Sequence, residues 1–153
     1  MKNPVNWNKL DKNWKEFAKK QNVELVYVEQ NMFNAIRCEY IINITTDFYK
    51  TKIVGTLWKS QDGHNKNDTR IYAKYNSESS QTLDINNSGI KSLFMKNKLK
   101  AEENNIYQSF KNLNGKKLKL DKGLLRLELN KIISKHSEFE QISEIINAIK
   151  NYR

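Results

Sequence analysis

Apolar and polar residues alternate along residues 35–75, and this alternation predicts three successive antiparallel strands. Successive side chains on a strand point to opposite faces, so a period of two marks a strand with one buried face. The inward positions of the three runs (35–45, 51–58 and 69–75) are Ile36, Cys38, Tyr40, Ile42 and Ile44, then Ile53, Gly55 and Leu57, then Ile71, Ala73 and Tyr75. These runs therefore predict a sheet with one dry face.

Near both ends of the chain, apolar residues recur at helical spacing. The first helix, over residues 6–21, has Asn3 or Asn6 as its cap and an apolar stripe of Trp7, Leu10, Trp14, Phe17 and Ala18. The last helix begins at a capping box of Ser137 and Glu140, and its apolar face comprises Phe139, Ile142, Ile145, Ile146 and Ile149. We expect both stripes to pack against the sheet.

Two shorter runs predict further strands before and after the three central strands. Residues 23–28 are apolar on both faces, which favours an interior strand or one covered on both faces, and the polar residues 29–34 predict a turn after it. Residues 81–85 predict a fourth strand that continues the meander.

The second half of the chain predicts a helix followed by a hairpin. Ile90, Leu93 and Phe94 lie at helical spacing, and residues 101–113 form a clearer helix that ends at Asn114 and Gly115. Two arms, 116–120 and 124–129, then alternate leucine with charged residues around the turn Asp121, Lys122 and Gly123.

Strands that follow one another without intervening helices are typical of antiparallel sheets. We therefore predict one α+β domain over residues 1–153, built on an antiparallel meander sheet of about five to seven strands. The N-terminal and C-terminal helices pack on one face, and a further helical segment precedes the late hairpin. The inward positions leave no room beneath the helices for a catalytic site, so we expect function to reside on the outer face.

Cysteine usage and hydropathy bear on where the protein acts. Cys38 is the single cysteine and occupies an inward strand position, where it is typical of a small buried apolar residue. The N-terminus has no apolar run of the secretory kind, and no stretch approaches the roughly 20 apolar residues that span a bilayer. We expect a cytoplasmic protein without membrane attachment.

The net charge of +10 comes mainly from lysine, since the chain has 23 Lys and 4 Arg. Residues 91–122 carry nine basic and three acidic side chains, so the excess is concentrated there. This concentration indicates an electrostatic contact surface. Dedicated phosphate-binding surfaces favour arginine, whose planar fork donates two hydrogen bonds at once. The preferred partner is therefore an acidic protein, with nucleic acid as the alternative.

The outer face of the central strands combines aromatic and basic side chains. Alternation places Lys52, Val54 and Thr56 on this face, and the contact residues that we predict are Trp58, Arg70, Tyr72, Lys74, Lys116, Lys117 and Lys119. Such a face suits a protein-binding module of the adaptor, immunity or assembly kind, in which aromatic residues anchor the contact. It also suits single-stranded RNA or DNA, which stacks on aromatic rings.

Catalytic and metal-binding patterns are weak. The loop 62–68 lacks the spacing of a calcium loop, and two histidines with one cysteine fall short of a zinc set, so we predict no metal and no cofactor. No catalytic residue is marked. An enzyme of unrecognised class is the third interpretation, and it requires His64 or His136 beside an acid in a deep pocket.

Overall fold

A computed structural model describes residues 6–60, 66–77, 81–86 and 101–152. Its elements in chain order are helix α1 (Trp7–Lys20), strands β1 (Leu25–Met32), β2 (Ala35–Thr45), β3 (Tyr49–Ser60), β4 (Asn67–Tyr75) and β5 (Leu83–Asn86), helix α2 (Ala101–Asn112), strands β6 (Gly115–Asp121) and β7 (Leu124–Leu129), and helix α3 (His136–Tyr152). The predicted α+β class with a meander sheet is confirmed. His64 and the helical spacing of Ile90, Leu93 and Phe94 lie outside the described residues.

The seven strands form one antiparallel sheet in the order β1-β2-β3-β4-β7-β6-β5. The prediction that the strand near residues 81–85 continues the meander after β4 is wrong. That strand, β5, lies at the far edge and pairs with β6, while β7 occupies the place beside β4. β7 has six residues and β5 four, so β7 satisfies more of the backbone groups along β4.

One row of apolar side chains crosses the inward face of the whole sheet. Its members are directly opposite one another on neighbouring strands: Leu25, Ile42, Ile53, Ile71, Leu127, Leu118 and Ile85. Every member from Ile42 to Ile85 is at most 1% exposed. The alternation seen in the sequence therefore sets the faces correctly, because a register slip of one residue would turn this row towards water.

The N-terminal and C-terminal helices cover this inward face, as predicted. Trp14 of α1 is fully buried, stacks on Tyr40 of β2 and meets Phe139 of α3 edge to face. Its indole N–H donates to the carbonyl of Ile133 at 2.9 Å, which satisfies the one polar group of the ring. Tyr75 ties β4 to α3 through a 2.7 Å hydrogen bond from its hydroxyl to the carbonyl of Ile146.

Strand β1 corrects a second prediction. Within the part of the chain that the structure describes, it lies at the edge of the sheet and pairs with β2 alone, whereas its two apolar faces had indicated an interior strand or one covered on both faces. It also continues through the residues predicted as a turn, so that only Phe33 and Asn34 separate it from β2. Val26 and Tyr27 are 39% and 47% exposed, so the apolar residues on β1 are not all explained by burial.

The cap of α3 differs from the one predicted. The helix begins at His136, so Ser137 lies inside its first turn and does not cap it. Glu138 takes that role, because its Oε1 accepts hydrogen bonds from the backbone N–H groups of Ser134 and Lys135. At the other end of the chain, Asn6 caps α1 as predicted, with its side chain accepting from the N–H of Lys9.

Two turns depend on residues with positive φ. Asn114 follows α2 with φ 56°, so the left-handed position belongs to Asn114, and Gly115 already begins β6. The β6–β7 turn consists of Lys122 and Gly123, with φ 48° and 75°. Positive φ at both central residues is the geometry of a two-residue hairpin turn. The predicted turn was one residue longer, because Asp121 belongs to β6 and pairs with Leu124.

Tyr40 is expected to make the protein sensitive to alkaline pH. Burial, aided by the carboxylate of Asp11 at 3.4 Å, raises the pKa of Tyr40 to about 12. In the unfolded chain the same phenol ionises near pH 10. Its contribution to stability is therefore complete below pH 10 and is lost as the pH rises towards 12.

Urea unfolding of wild type and Tyr40→Phe across this pH window measures the effect. The variant should lose less stability than the wild type between pH 10 and 12. Equal losses in the two proteins would contradict the assignment of this slope to Tyr40.

Candidate functional site

The outer face of the sheet carries the predicted contact residues. Arg70, Tyr72 and Lys74 on β4 are exposed, and Lys52 on β3 lies directly opposite Tyr72. On the other side of β4, Tyr72 faces Arg126 of β7, and Arg126 faces Lys119 of β6. The pairing of β4 with β7 therefore brings the basic residues of the two halves of the chain together on one face.

A hollow of about 370 Å³ lies around Tyr72, and we call it the basic hollow. Among the described residues, its charged lining consists of Lys50, Lys52, Lys74 and Arg126, without an acidic residue. The guanidinium of Arg126 lies 5.6 Å from the centre of the Tyr72 ring. Exposed Leu124 adds an apolar wall. The hollow thus combines four positive charges with apolar contact area.

The cations of the basic hollow have no carboxylate partner within the described residues. None of the four takes part in an ion pair there. Lys50 and Lys74 are directly opposite each other on β3 and β4, and Lys119 and Arg126 are directly opposite on β6 and β7. Like charges placed directly across a sheet destabilise it. Binding of an anion at this place would reduce the repulsion.

Trp58 and Arg70 lie in a separate hollow of about 510 Å³, together with Lys116. Acidic residues accompany the basic ones here, since Asp68 lies 3.6 Å from Arg70 and Glu128 lines the same wall. Trp58 is half-buried, and the guanidinium of Arg37 covers its ring at 5.6 Å. Charge in this second hollow is nearly balanced, so it is the weaker site for an anion.

The seven predicted residues share the outer side of the sheet without forming one site. Tyr72 and Lys74 line the basic hollow, whereas Trp58, Arg70 and Lys116 line the second one. A bulge between Gly115 and Lys117 displaces Lys116 from the regular alternation. Lys117 faces Glu128, and Lys119 lies beside Arg126 with Asp84 on its other side.

Sequence reasoning did not assign Lys50, Lys52, Leu124 and Arg126 to the site. Alternation does place Lys52 on the outer face, whereas Lys50 precedes the predicted strand 51–58 and is set beside Lys74 by the register of β3 with β4. Arg126 had no comparable signal, because its place next to Tyr72 depends on which strand pairs with β4.

His136 partly meets the condition set for an enzyme. Its Nε2 lies 2.9 Å from Glu16 Oε2, and this hydrogen bond is the main reason that the pKa of Glu16 is lowered. Both side chains are almost half exposed, and the groove that His136 lines is open, with a volume of about 310 Å³. Ser143 in the same groove lies two helical turns away, about 10 Å along the axis, which is too far for His136 to activate it.

Searches for metal-ligand clusters, membrane-spanning helices and related proteins identify no further functional site. Within residues 6–60, 66–77, 81–86 and 101–152, no three His, Cys, Asp or Glu side chains are grouped as a metal site. None of the described helices has the length and apolar character needed to cross a bilayer. No protein-family model, curated protein or solved structure matches the chain.

Proposed function

We propose that this protein is a non-enzymatic, cytoplasmic binding module whose basic hollow docks an acidic segment of a partner protein. The observation that carries the proposal is the set of four cations around Tyr72 with no ion pair in the described part of the chain. A concave surface of one charge sign concentrates oppositely charged partners and speeds their association.

Two features favour a protein partner. Three of the four cations are lysines, which act as point charges and lack the planar fork that suits phosphate. Apolar contact comes from Leu124 and from one exposed ring, Tyr72. An acidic segment with interspersed apolar side chains would match both features, whereas a single strand of nucleic acid usually stacks on several rings.

Single-stranded nucleic acid remains the second candidate because Arg126 lies over the face of Tyr72. A base could stack on this ring while the neighbouring lysines neutralise phosphates. Such binding should weaken linearly with the logarithm of salt concentration, at a slope set by the number of phosphates neutralised.

The test is a pull-down from native lysate, with and without nuclease, using wild type and two matched variants. Lys50→Gln/Lys52→Gln/Lys74→Gln removes three charges from the basic hollow. Lys9→Gln/Lys19→Gln/Lys135→Gln removes three exposed charges elsewhere, at positions without ion pairs in the described residues. We expect nuclease-resistant capture of acidic proteins by the wild type and the control, and its loss in the hollow variant.

Two outcomes would contradict the proposal. If nuclease abolishes capture and labelled oligo-dT or oligo-U binds with a steep salt slope, the nucleic-acid alternative replaces it. If the hollow variant and the control capture acidic proteins equally, the basic hollow is not the contact surface.

Lys74→Glu should separate stability from binding. The change replaces a like-charge pair with an opposite-charge pair opposite Lys50, and we expect the free energy of unfolding to rise by about 0.5 kcal/mol. Capture of the acidic partner should fall at the same time, because a repulsive charge enters the basic hollow. Urea unfolding and the pull-down measure the two effects. A variant that gains stability and binds normally would show that these lysines do not serve binding.

A further inference from the structure

The two edges of the sheet differ in how much they are protected. β5 has four residues, and short edge strands limit pairing with another chain. β1 has eight residues, and its register with β2 runs without a bulge from Leu25 to Met32. It contains one charged side chain, Glu29, and neither lysine nor proline. A bulge, lysine and proline, which are among the usual devices against edge pairing, are therefore missing from β1, and its one charge, Glu29, lies on the inward side opposite Cys38.

Exposed apolar side chains also concentrate on the β1 hairpin. Val26, Tyr27 and Met32 on β1 are each more than a third exposed, and Phe33 at the tip is 97% exposed. They make up four of the seven large hydrophobic residues that are exposed in the described part of the chain. They lie along one edge of the sheet on both of its faces, since Val26 and Met32 are opposite Ile41 and Ala35 while Tyr27 is opposite Tyr40. Exposed apolar residues concentrated at one edge are more typical of an interaction surface than single exposed residues are.

The charge distribution identifies the kind of partner. No Lys or Arg occurs between Lys20 and Arg37, although the chain carries +10 overall. β1 is therefore the surface where a second copy of this basic chain meets no opposing lysines. A second copy also presents an edge of the same length and the same apolar character, which no described strand pairs with.

We propose that β1 pairs antiparallel with β1 of a second copy, and that this pairing makes a symmetric dimer. A two-fold axis normal to the sheet keeps the inward faces on the same side of a continuous sheet. With the axis centred on Val28, Tyr27 of each copy lies across from a Glu29, and no acid lies across from its own equivalent. Within one chain, the Tyr27 hydroxyl already donates to Glu29 at 2.8 Å. This proposal does not depend on the function proposed for the basic hollow.

Salt should affect the dimer and the basic hollow in opposite directions. Two copies with +10 each repel one another at a distance, and added salt screens that repulsion. The dimer should therefore tighten as salt rises, while docking of an acidic partner at the basic hollow should weaken. The opposite signs allow each proposal to fail independently.

Sedimentation equilibrium over a range of protein concentrations, at low and high salt, tests the dimer. Val26→Lys/Met32→Lys places two charges on the β1 edge and should raise the dimer Kd by about a hundredfold or more. The control Leu124→Lys/Phe48→Lys replaces two exposed apolar residues that lie outside β1 and makes the same change in net charge. We expect this control to dimerise like the wild type.

Hydrogen exchange of the unmodified protein provides a test that does not require the edge variant to fold. Amides of β1 should gain protection as protein concentration rises, while amides of β5 should not. The proposal is overturned if the protein stays monomeric at all concentrations and salts, if the Leu124 and Phe48 control dissociates while the β1 variant does not, or if an open series of oligomers forms. An open series would indicate pairing of β1 with β5 of the next copy.

Discussion

Substitution Gly55→Val is expected to lower the free energy of unfolding by about 3 kcal/mol. Valine has the higher strand propensity, and on that basis alone the change would stabilise β3 by up to about 1 kcal/mol. Steric overlap in the core outweighs this gain, so the net effect on the free energy of unfolding is destabilising. A Cβ atom at Gly55 would lie 2.5 Å from the Trp14 ring and 3.0 Å from Ile132, both inside normal contact distance. Trp14 cannot retreat easily, because its N–H is bonded to Ile133 and its ring is enclosed by Tyr40 and Phe139.

A double-mutant cycle with Trp14→Phe checks this cause. Phenylalanine lacks the outer ring of the indole, so Gly55→Val should cost less in the Trp14→Phe background than in the wild type. Urea unfolding of the four proteins gives the coupling energy. An additive cycle, or a valine variant as stable as the wild type, would contradict the close packing of α1 over β3.

Thr69→Val is expected to lower the free energy of unfolding by roughly 2–3 kcal/mol, although the two side chains have almost the same shape. Thr69 is fully buried on β4, where its hydroxyl donates to the carbonyl of Lys131 at 2.8 Å and accepts from the N–H of Ile133 at 3.0 Å. Valine leaves both backbone groups without this partner in a buried place. The loss should therefore exceed that of an ordinary hydrogen bond.

Thr69→Ser is the matched control. It keeps the hydroxyl and removes one methyl group, so its cost should be about 1 kcal/mol from lost burial. Thermal or urea unfolding of the two variants separates the contributions. If serine proves as damaging as valine, packing of the methyl group matters more than the two hydrogen bonds.

Local pattern was enough to predict the faces of the central strands. Ile53, Ile71 and Leu127 were assigned inward by alternation, and they are buried in one continuous row. Period-two alternation works here because a single register slip would expose the whole row. The terminal helices were also predictable from local pattern, because Trp14 and Phe139 belong to apolar stripes with a 3.6-residue period.

Strand order could not be predicted, because it depends on contacts between distant parts of the chain. The sequence near residue 83 predicts a strand but not whether β4 pairs with it or with β7. The predicted place of β1 inside the sheet was wrong for a related reason. Apolar residues on both faces are common to interior strands and to edge strands that pair with another chain, and pattern alone does not distinguish them.

The candidate site shared these limits. Tyr72 and Lys74 followed from alternation within one strand, whereas Arg126 reached the basic hollow only through the β4–β7 pairing. The start of α3 shows a smaller ambiguity, since Glu138 holds the capping position that was predicted for Glu140, a shift of two residues.

The β4–β7 pairing also affects how the chain can fold during its synthesis. β4 is complete at Tyr75, but its partner begins only at Leu124. At a translation rate of roughly 5–20 residues per second, the outer edge of β4 stays unpaired for several seconds until that partner is synthesised. During this interval the nascent chain presents an open strand to neighbouring chains on the polysome. Rapid docking of α1 on the first strands would shield the apolar side of this intermediate, and the lysines near that edge would keep nascent chains apart.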